Sequence, residues 1–473
     1  MTRAGGRRRA DVPEPVETAR RSRMLPVALV VLVLVVGVAL WLAGRAGPVA
    51  SPRGGESVVE PDQQQVVCPA GQRAGTSRVG LLPDADGDVT EGGETVDVRP
   101  GGVVSRDVPA DQPEVLTATG GATRGLFATT EVGSSGLAGC VSPRASWWYA
   151  GAGGSPSHSS VLRLTNPGTG PAVLDVDVWG PDGEVPGPQL RGVSLKPGES
   201  RTLRLADLAP SPGSLAVHVD VSRGLVSSNL VDTVVPLTAR SAGTEEDVPV
   251  ARGPSRRVTV NGLGVPEGGV LAGDRLPASL QEGASVVLLN PGEGPVTARL
   301  RLSGSDGLSQ PEGLSQTTVP PQSTVTVPLG SAVKSRAQAL VVDADGPLVG
   351  GYQSPGARDL VHGVSGAGWE GPAAVALPGS GSARVELTAR GGAAAVTLSS
   401  YDTRGQRLER RSVRVGARST VSADVPAKAA SVVVDSDGGV TGAVQVRRDA
   451  GTSLLRLVPL LEALRVPDVR PGG

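Results

Sequence analysis

Two stretches of this chain repeat one another turn for turn, and that repetition confines it to short paired strands. VLRLTNPGTGPAVLDVDVWGPDG (161–183) matches VVLLNPGEGPVTARLRLSGSDG (286–307). Asn166-Pro167-Gly168 falls on Asn290-Pro291-Gly292, Asp182-Gly183 falls on Asp306-Gly307, and 17 positions separate Asn from Gly in both copies. Asn-Pro-Gly is a turn signal, and Asp-Gly suits a hairpin turn with positive φ. Between the turns, Ala172, Leu174, Val176 and Val178 share one face, with Asp175 and Asp177 on the other. In the second copy Val296, Ala298, Leu300 and Leu302 point in, while Thr297, Arg299 and Arg301 point out. A period of two marks a half-buried antiparallel strand.

The likeness continues downstream, where 194–205 parallels 318–329 and 214–226 parallels 339–351. A degenerate copy follows at 383–405, 412–425 and 431–444, and a partial one precedes at 96–108 and 115–126. Gly (67) and Pro (40) are abundant, but Val and Leu fall in patterned runs, which reads as strands and tight turns and not as a disordered chain. With one Phe, three Tyr and five Trp, the cores must be small and aliphatic. The expected fold class is all-β: tandem immunoglobulin/fibronectin-like β-sandwich modules behind a single N-terminal transmembrane helix. The Cys…Trp…Cys framework of antibody domains is missing, so the sandwich rests on pattern. The expected modules are 66–145 (degenerate), 146–240, 241–362 and 363–473.

Ahead of them, Met24 to Ala43 is a run of 20 residues without a charge, about 30 Å as a helix and enough to cross a bilayer. Residues 1–23 carry seven Arg against Asp11, Glu14 and Glu17, a net of +4 in a chain of net −1. The positive-inside rule then puts a disordered basic tail (1–23) in the cytoplasm and the rest outside the membrane. The lipid bilayer is therefore an expected partner through 24–43. A cleaved signal peptide is the competing reading, but its apolar region is about 7–15 residues long. Residues 44–65, rich in Pro, Gly and polar side chains, read as a flexible stalk. The mildly acidic remainder has no electrostatic footprint for nucleic acid.

Few residues offer chemistry. Cys68 and Cys140 are the two cysteines; outside the membrane they are expected to pair as a disulfide, with free buried thiols as the alternative. His158, His218 and His362 stand near no nucleophile motif and read as surface or rim histidines. Asp84-Ala85-Asp86-Gly87-Asp88 faintly resembles a calcium loop, but Asp86-Gly87 reads better as a hairpin turn, as do Asp345-Gly346 and Asp437-Gly438. Trp147-Trp148-Tyr149 is either core or a surface on which sugar rings or a protein stack. No catalytic, metal or cofactor site is expected.

From Gly136-Leu137-Ala138-Gly139-Cys140 through Trp147-Trp148-Tyr149-Ala150-Gly151 to Leu164-Thr165-Asn166-Pro167, the chain resembles uncharacterised membrane-anchored extracytoplasmic proteins of actinobacteria, a domain of unknown function. The resemblance implies location and repeat architecture over roughly 60–460, and no activity. The function expected is a membrane-tethered, non-enzymatic envelope scaffold or interaction protein that meets other envelope proteins. Alternatives are wall-glycan binding through Trp147 and Trp148, and a hydrolase with paired carboxylates in an inter-module cleft.

Overall fold

The computed structural model describes residues 56–59, 61–133, 136–235, 244–266, 269–311, 314, 316–333, 338–357, 359–460 and 464–467. The expected membrane segment, 24–43, and the basic tail lie outside the described residues. Among the described residues no helix is long and apolar enough to cross a membrane. Two units are distinguished. In the smaller, Glu56–Val59 pairs with Leu464–Pro467. Part of the expected stalk is therefore strand, and Gln63–Cys68 already begins the larger unit, 60–464.

The larger unit is all-β and holds four main cores. The first module has two four-stranded sheets. One orders Gln63–Cys68, Glu114–Thr119, Val89–Glu91 and Glu94–Thr95; the other orders Val103–Val108, Gly75–Leu81, Leu126–Val132 and Gly136–Gly139. Gly75–Leu81 and Val89–Glu91 belong to different sheets, so Asp86-Gly87 lies in the loop between them and not at a hairpin, contrary to expectation.

The other three modules share a device. In the third, Ala339–Pro355 is a single 17-residue strand. Its first part pairs with Ser255–Asn261 and Val296–Gly304, and its second with Ser285–Asn290 and Leu360–Ser365. In the fourth, the 18-residue Ser431–Arg448 does the same. In the second, Gly224 at φ +76 breaks the equivalent stretch into Ser211–Arg223 and Ser227–Val234. The two layers of a module are therefore joined by hydrogen bonds, not merely stacked. This corrects the reading of Asp345-Gly346 and Asp437-Gly438, which lie inside the long strands. Each aspartate serves the place where the strand passes from one layer to the other. Asp345 Oδ1 accepts the Thr297 N–H at 2.8 Å, and Asp437 Oδ1 accepts the Ala395 N–H at 2.7 Å.

The repeated turns form as expected. Asn166 and Asn290 are buried, and each Oδ1 accepts the N–H of the second residue on, at 3.0 Å. Each Nδ2 donates to the carbonyl four residues on, at 2.8 and 2.7 Å, and to a neighbouring strand. Gly183 (φ +120) and Gly307 (φ +100) close two-residue hairpins.

The modules are not beads on a string. Ala374, Ala376 and Ala430 of the fourth complete the core of the first, which also holds Cys68 and Cys140. Thr129 Oγ1 donates to the Ala376 carbonyl at 3.1 Å. Second and third meet through Ala150, Trp179, Ala216, Leu289 and Val349, third and fourth through Val361, Val364, Ala443 and Leu454. The order first–second–third–fourth thus closes back on itself.

Candidate functional site

The sequence puts the three histidines at the surface or rim; the fold buries two of them. His158 is 0% exposed, His362 2%, and both meet Asp232, itself 0% exposed. His158 opens the strand His158–Thr165, which pairs with Ser227–Val234 so that Ser160 lies opposite Asp232. His158 sits two positions away on the same face, within reach of the same carboxylate. His158 Nε2 lies 3.0 Å from Asp232 Oδ2, and Ser160 Oγ donates to Oδ1. His362 comes from the third module, on Leu360–Ser365, and its Nε2 stands 2.9 Å from Asp232 Oδ2.

The far side of His158 is also engaged. Its Nδ1 is 2.6 Å from Ser279 Oγ, in the single turn Ala278–Leu280. The Ser279 carbonyl accepts from Gln353 Nε2 at 2.8 Å and Ser214 Oγ at 3.0 Å. Gly153 makes room: a Cβ there would lie 2.4 Å from the His158 ring. Burial works against the charged form of Asp232, but His158, by charge and hydrogen bond, and then His362 outweigh it. They hold the carboxyl well below the usual carboxylate range.

Ser279, His158 and Asp232 make a hydroxyl–imidazole–carboxylate chain, the relay that activates a serine. An acyl substrate would also have to reach the hydroxyl. Ser279 is 6% exposed. A second imidazole on the same carboxylate oxygen is foreign to that relay. In this conformation the cluster is a sealed polar seam between the second and third modules.

More carboxyls gather beside it on Thr244–Val248. Glu246 is the register partner of Asp232. Burial, and then the charge of Asp359, push Glu246 well above its ordinary value. Asp247 is pushed up to about 7 by burial, against a hydrogen bond from Asn229. Among the described residues no group of three His, Cys, Asp or Glu stands in position to hold a metal ion.

Cys68 and Cys140 form the expected disulfide, across a separation of 72 residues. The aromatic cluster divides between faces, as neighbours on a strand must. Trp147 and Tyr149 are both 0% exposed in the second core. There Trp147 Nε1 donates to the Val226 carbonyl at 2.9 Å, and Tyr149 Oη to Ser228 Oγ at 3.1 Å. Neither has a free ring face for a ligand. Trp148 is half-buried on the opposite face, stacked on His218 at 3.8 Å and on Trp179 at 5.9 Å between ring centroids. His218 alone of the three histidines sits at a rim.

The sequence reading missed Asp232, Ser279 and Gln353. A signal existed for Asp232: Leu230 and Val234 flank it on one face of the strand, so a charge there had to point inward and needed partners. Nothing local marks Ser279, whose role comes from a contact 121 residues away.

No curated protein and no solved structure matches the chain. A family of unknown function, DUF5719, matches residues 104–426, from within the first module through most of the fourth. The matched span covers more than half of the chain and includes His158, Asp232, Ser279 and His362, and the chain belongs to the DUF5719 family.

Proposed function

We propose that this is a membrane-tethered extracytoplasmic protein, non-enzymatic, whose immunoglobulin/fibronectin-like modules form one rigid body that scaffolds other envelope components. The apolar run 24–43 behind an arginine-rich tail supports the tether and its orientation. The Cys68–Cys140 disulfide supports an oxidising compartment. The observation that carries the scaffold role is the shared core, in which Ala374, Ala376 and Ala430 of the last module pack with Cys68, Leu116 and Phe127 of the first. A body closed in this way holds its outer surfaces at fixed spacing, as a scaffold must and a flexible string of modules cannot.

The test is protease added to wall-stripped cells that express the chain tagged at each end. The C-terminal tag should be lost or fragmented while the N-terminal tag survives on a short membrane-bound piece. Site-specific crosslinkers on the outer faces of two different modules should then capture the same envelope protein. Full protection of both tags, or a capture pattern unchanged when the crosslinker faces are swapped for charged residues, contradicts the proposal.

A further inference from the structure

The outer face of the third module carries a concentration of arginine that the chain's overall charge of −1 conceals. Ser255–Asn261 and Val296–Gly304 flank Ala339–Pro355 so that Arg257 and Arg299 are both register partners of Asp343. The carboxylate is shared: Arg257 Nε donates to Oδ1 at 2.7 Å, and Arg301 Nη2 to Oδ2. The fourth module faces this surface across an open cleft lined from both modules. Arg390, just past the strand Ser382–Ala389, and Arg418, in the turn before Thr420–Val425, line its far wall.

The lining therefore holds four arginines, Arg257, Arg301, Arg390 and Arg418, and the single carboxylate of Asp343, which Arg257 and Arg301 share, a surplus of three positive charges. Among the described residues neither Arg390 nor Arg418 has a carboxylate partner. Burial, followed by the charges of Arg252 and Arg257, lowers Arg390 from its ordinary value, as expected where cations crowd without compensation.

The two walls are fixed. Ser303 Oγ donates to the Arg418 carbonyl at 2.9 Å, Thr420 Oγ1 to Ser303 Oγ at 2.8 Å, and Asn261 Nδ2 to Thr388 Oγ1 at 2.6 Å. Arg418 itself is held at φ +57, a conformation that a non-glycine residue adopts at a cost. The four arginines thus stand on two fixed walls, and Arg390 feels the charge of Arg257 opposite it.

We infer that this cleft between the third and fourth modules binds a phosphate group. Planar guanidinium forks match the oxygens of a phosphate, and a surplus of three charges is better neutralised by a multiply charged anion than by one carboxylate. The inference goes beyond the scaffold reading and does not depend on it, because anion binding is read on purified protein wherever that protein resides.

The test is calorimetric titration of the full chain in detergent micelles with inorganic pyrophosphate, with malonate as the carboxylate control. Saturable binding of one pyrophosphate per chain is expected, tighter than malonate. Arg390→Ala with Arg418→Ala should weaken it about 100-fold, from the loss of two charge-assisted contacts, with the melting temperature little changed. Asp343→Asn, which frees two guanidinium groups, should tighten it. Glycerophosphoglycerol, whose diester carries a single charge, should compete far more weakly than pyrophosphate; equal competition would overturn the preference for a multiply charged phosphate. No saturable binding, equal affinity for malonate, or binding indifferent to the double substitution overturns the inference.

Discussion

Asp232, in the second module, is held 2.9 Å from Nε2 of His362, in the third. The same carboxylate oxygen is 3.0 Å from His158 Nε2, so one buried acid serves two imidazoles across a module boundary. Asp232→Ala would strand both. Removing one partner of a buried ionic group costs about 3–5 kcal/mol, and the chemical-denaturation midpoint should fall accordingly. His362→Ala should cost less, because His158 and Ser160 still hold the carboxylate. A loss below about 0.5 kcal/mol for Asp232→Ala would mean that the cluster is not a structural seam.

The neighbouring carboxyls set a pH dependence of definite sign. Asp247 is raised from 3.8 to about 7 and Glu386 from 4.5 to about 7, both by burial foremost. A raised carboxyl is protonated in the folded state while the unfolded chain ionises. Its stabilising contribution is present below the unfolded value and lost as pH rises towards the folded one. For Asp247 the loss falls between about pH 4 and pH 7. Asp232 acts oppositely: its folded value is depressed, so its contribution is present above the unfolded value and lost as pH falls. Unfolding midpoints should therefore be higher at pH 5 than at pH 8, and Asp247→Asn should flatten that difference. A wild-type midpoint that rises from pH 5 to pH 8 would refute the assignment.

The first module depends on the last. Opening the Cys68–Cys140 loop costs about 4 kcal/mol in the chain-entropy account. The core around the disulfide includes Ala374 and Ala376, so the damage from Cys140→Ser should not stay within 66–140. Hydrogen exchange should quicken in Trp369–Ala376 as well as in Gln63–Cys68. Exchange confined to the first module would show that the shared core contributes little.

What was legible follows from what local sequence encodes. Strand alternation placed Val176 and Leu300 inward, and both are 1% exposed. The Asn-Pro-Gly turns were legible because an asparagine bonding its own backbone is a local interaction. Asn290→Ala, which removes both donor and acceptor from a buried turn, should cost about 2–3 kcal/mol, measured by denaturant titration, and Asn166→Ala should match it. Asp345-Gly346 misled because Asp-Gly looks alike in a hairpin and inside a bent strand; what decides is the partner strand, which lies about 50 residues away in sequence. The histidine cluster was hidden for the same reason at greater range, since His158, Asp232, Ser279 and His362 meet only when two modules dock. Trp148 shows the limit clearly: alternation separates it from Trp147 and Tyr149, but its cover, Ala251 and Trp179, is tertiary.

If residues 60–464 form one cooperative body, they open together and not as a row of independent modules. Native-state hydrogen exchange across a denaturant series measures this directly on the full chain. Core strands from all four modules, Leu126–Val132, His158–Thr165, Ser285–Asn290 and Ser382–Ala389, should converge on one opening free energy and one denaturant dependence. Four separate free energies, each with the shallow dependence of a module of about 100 residues, would contradict it.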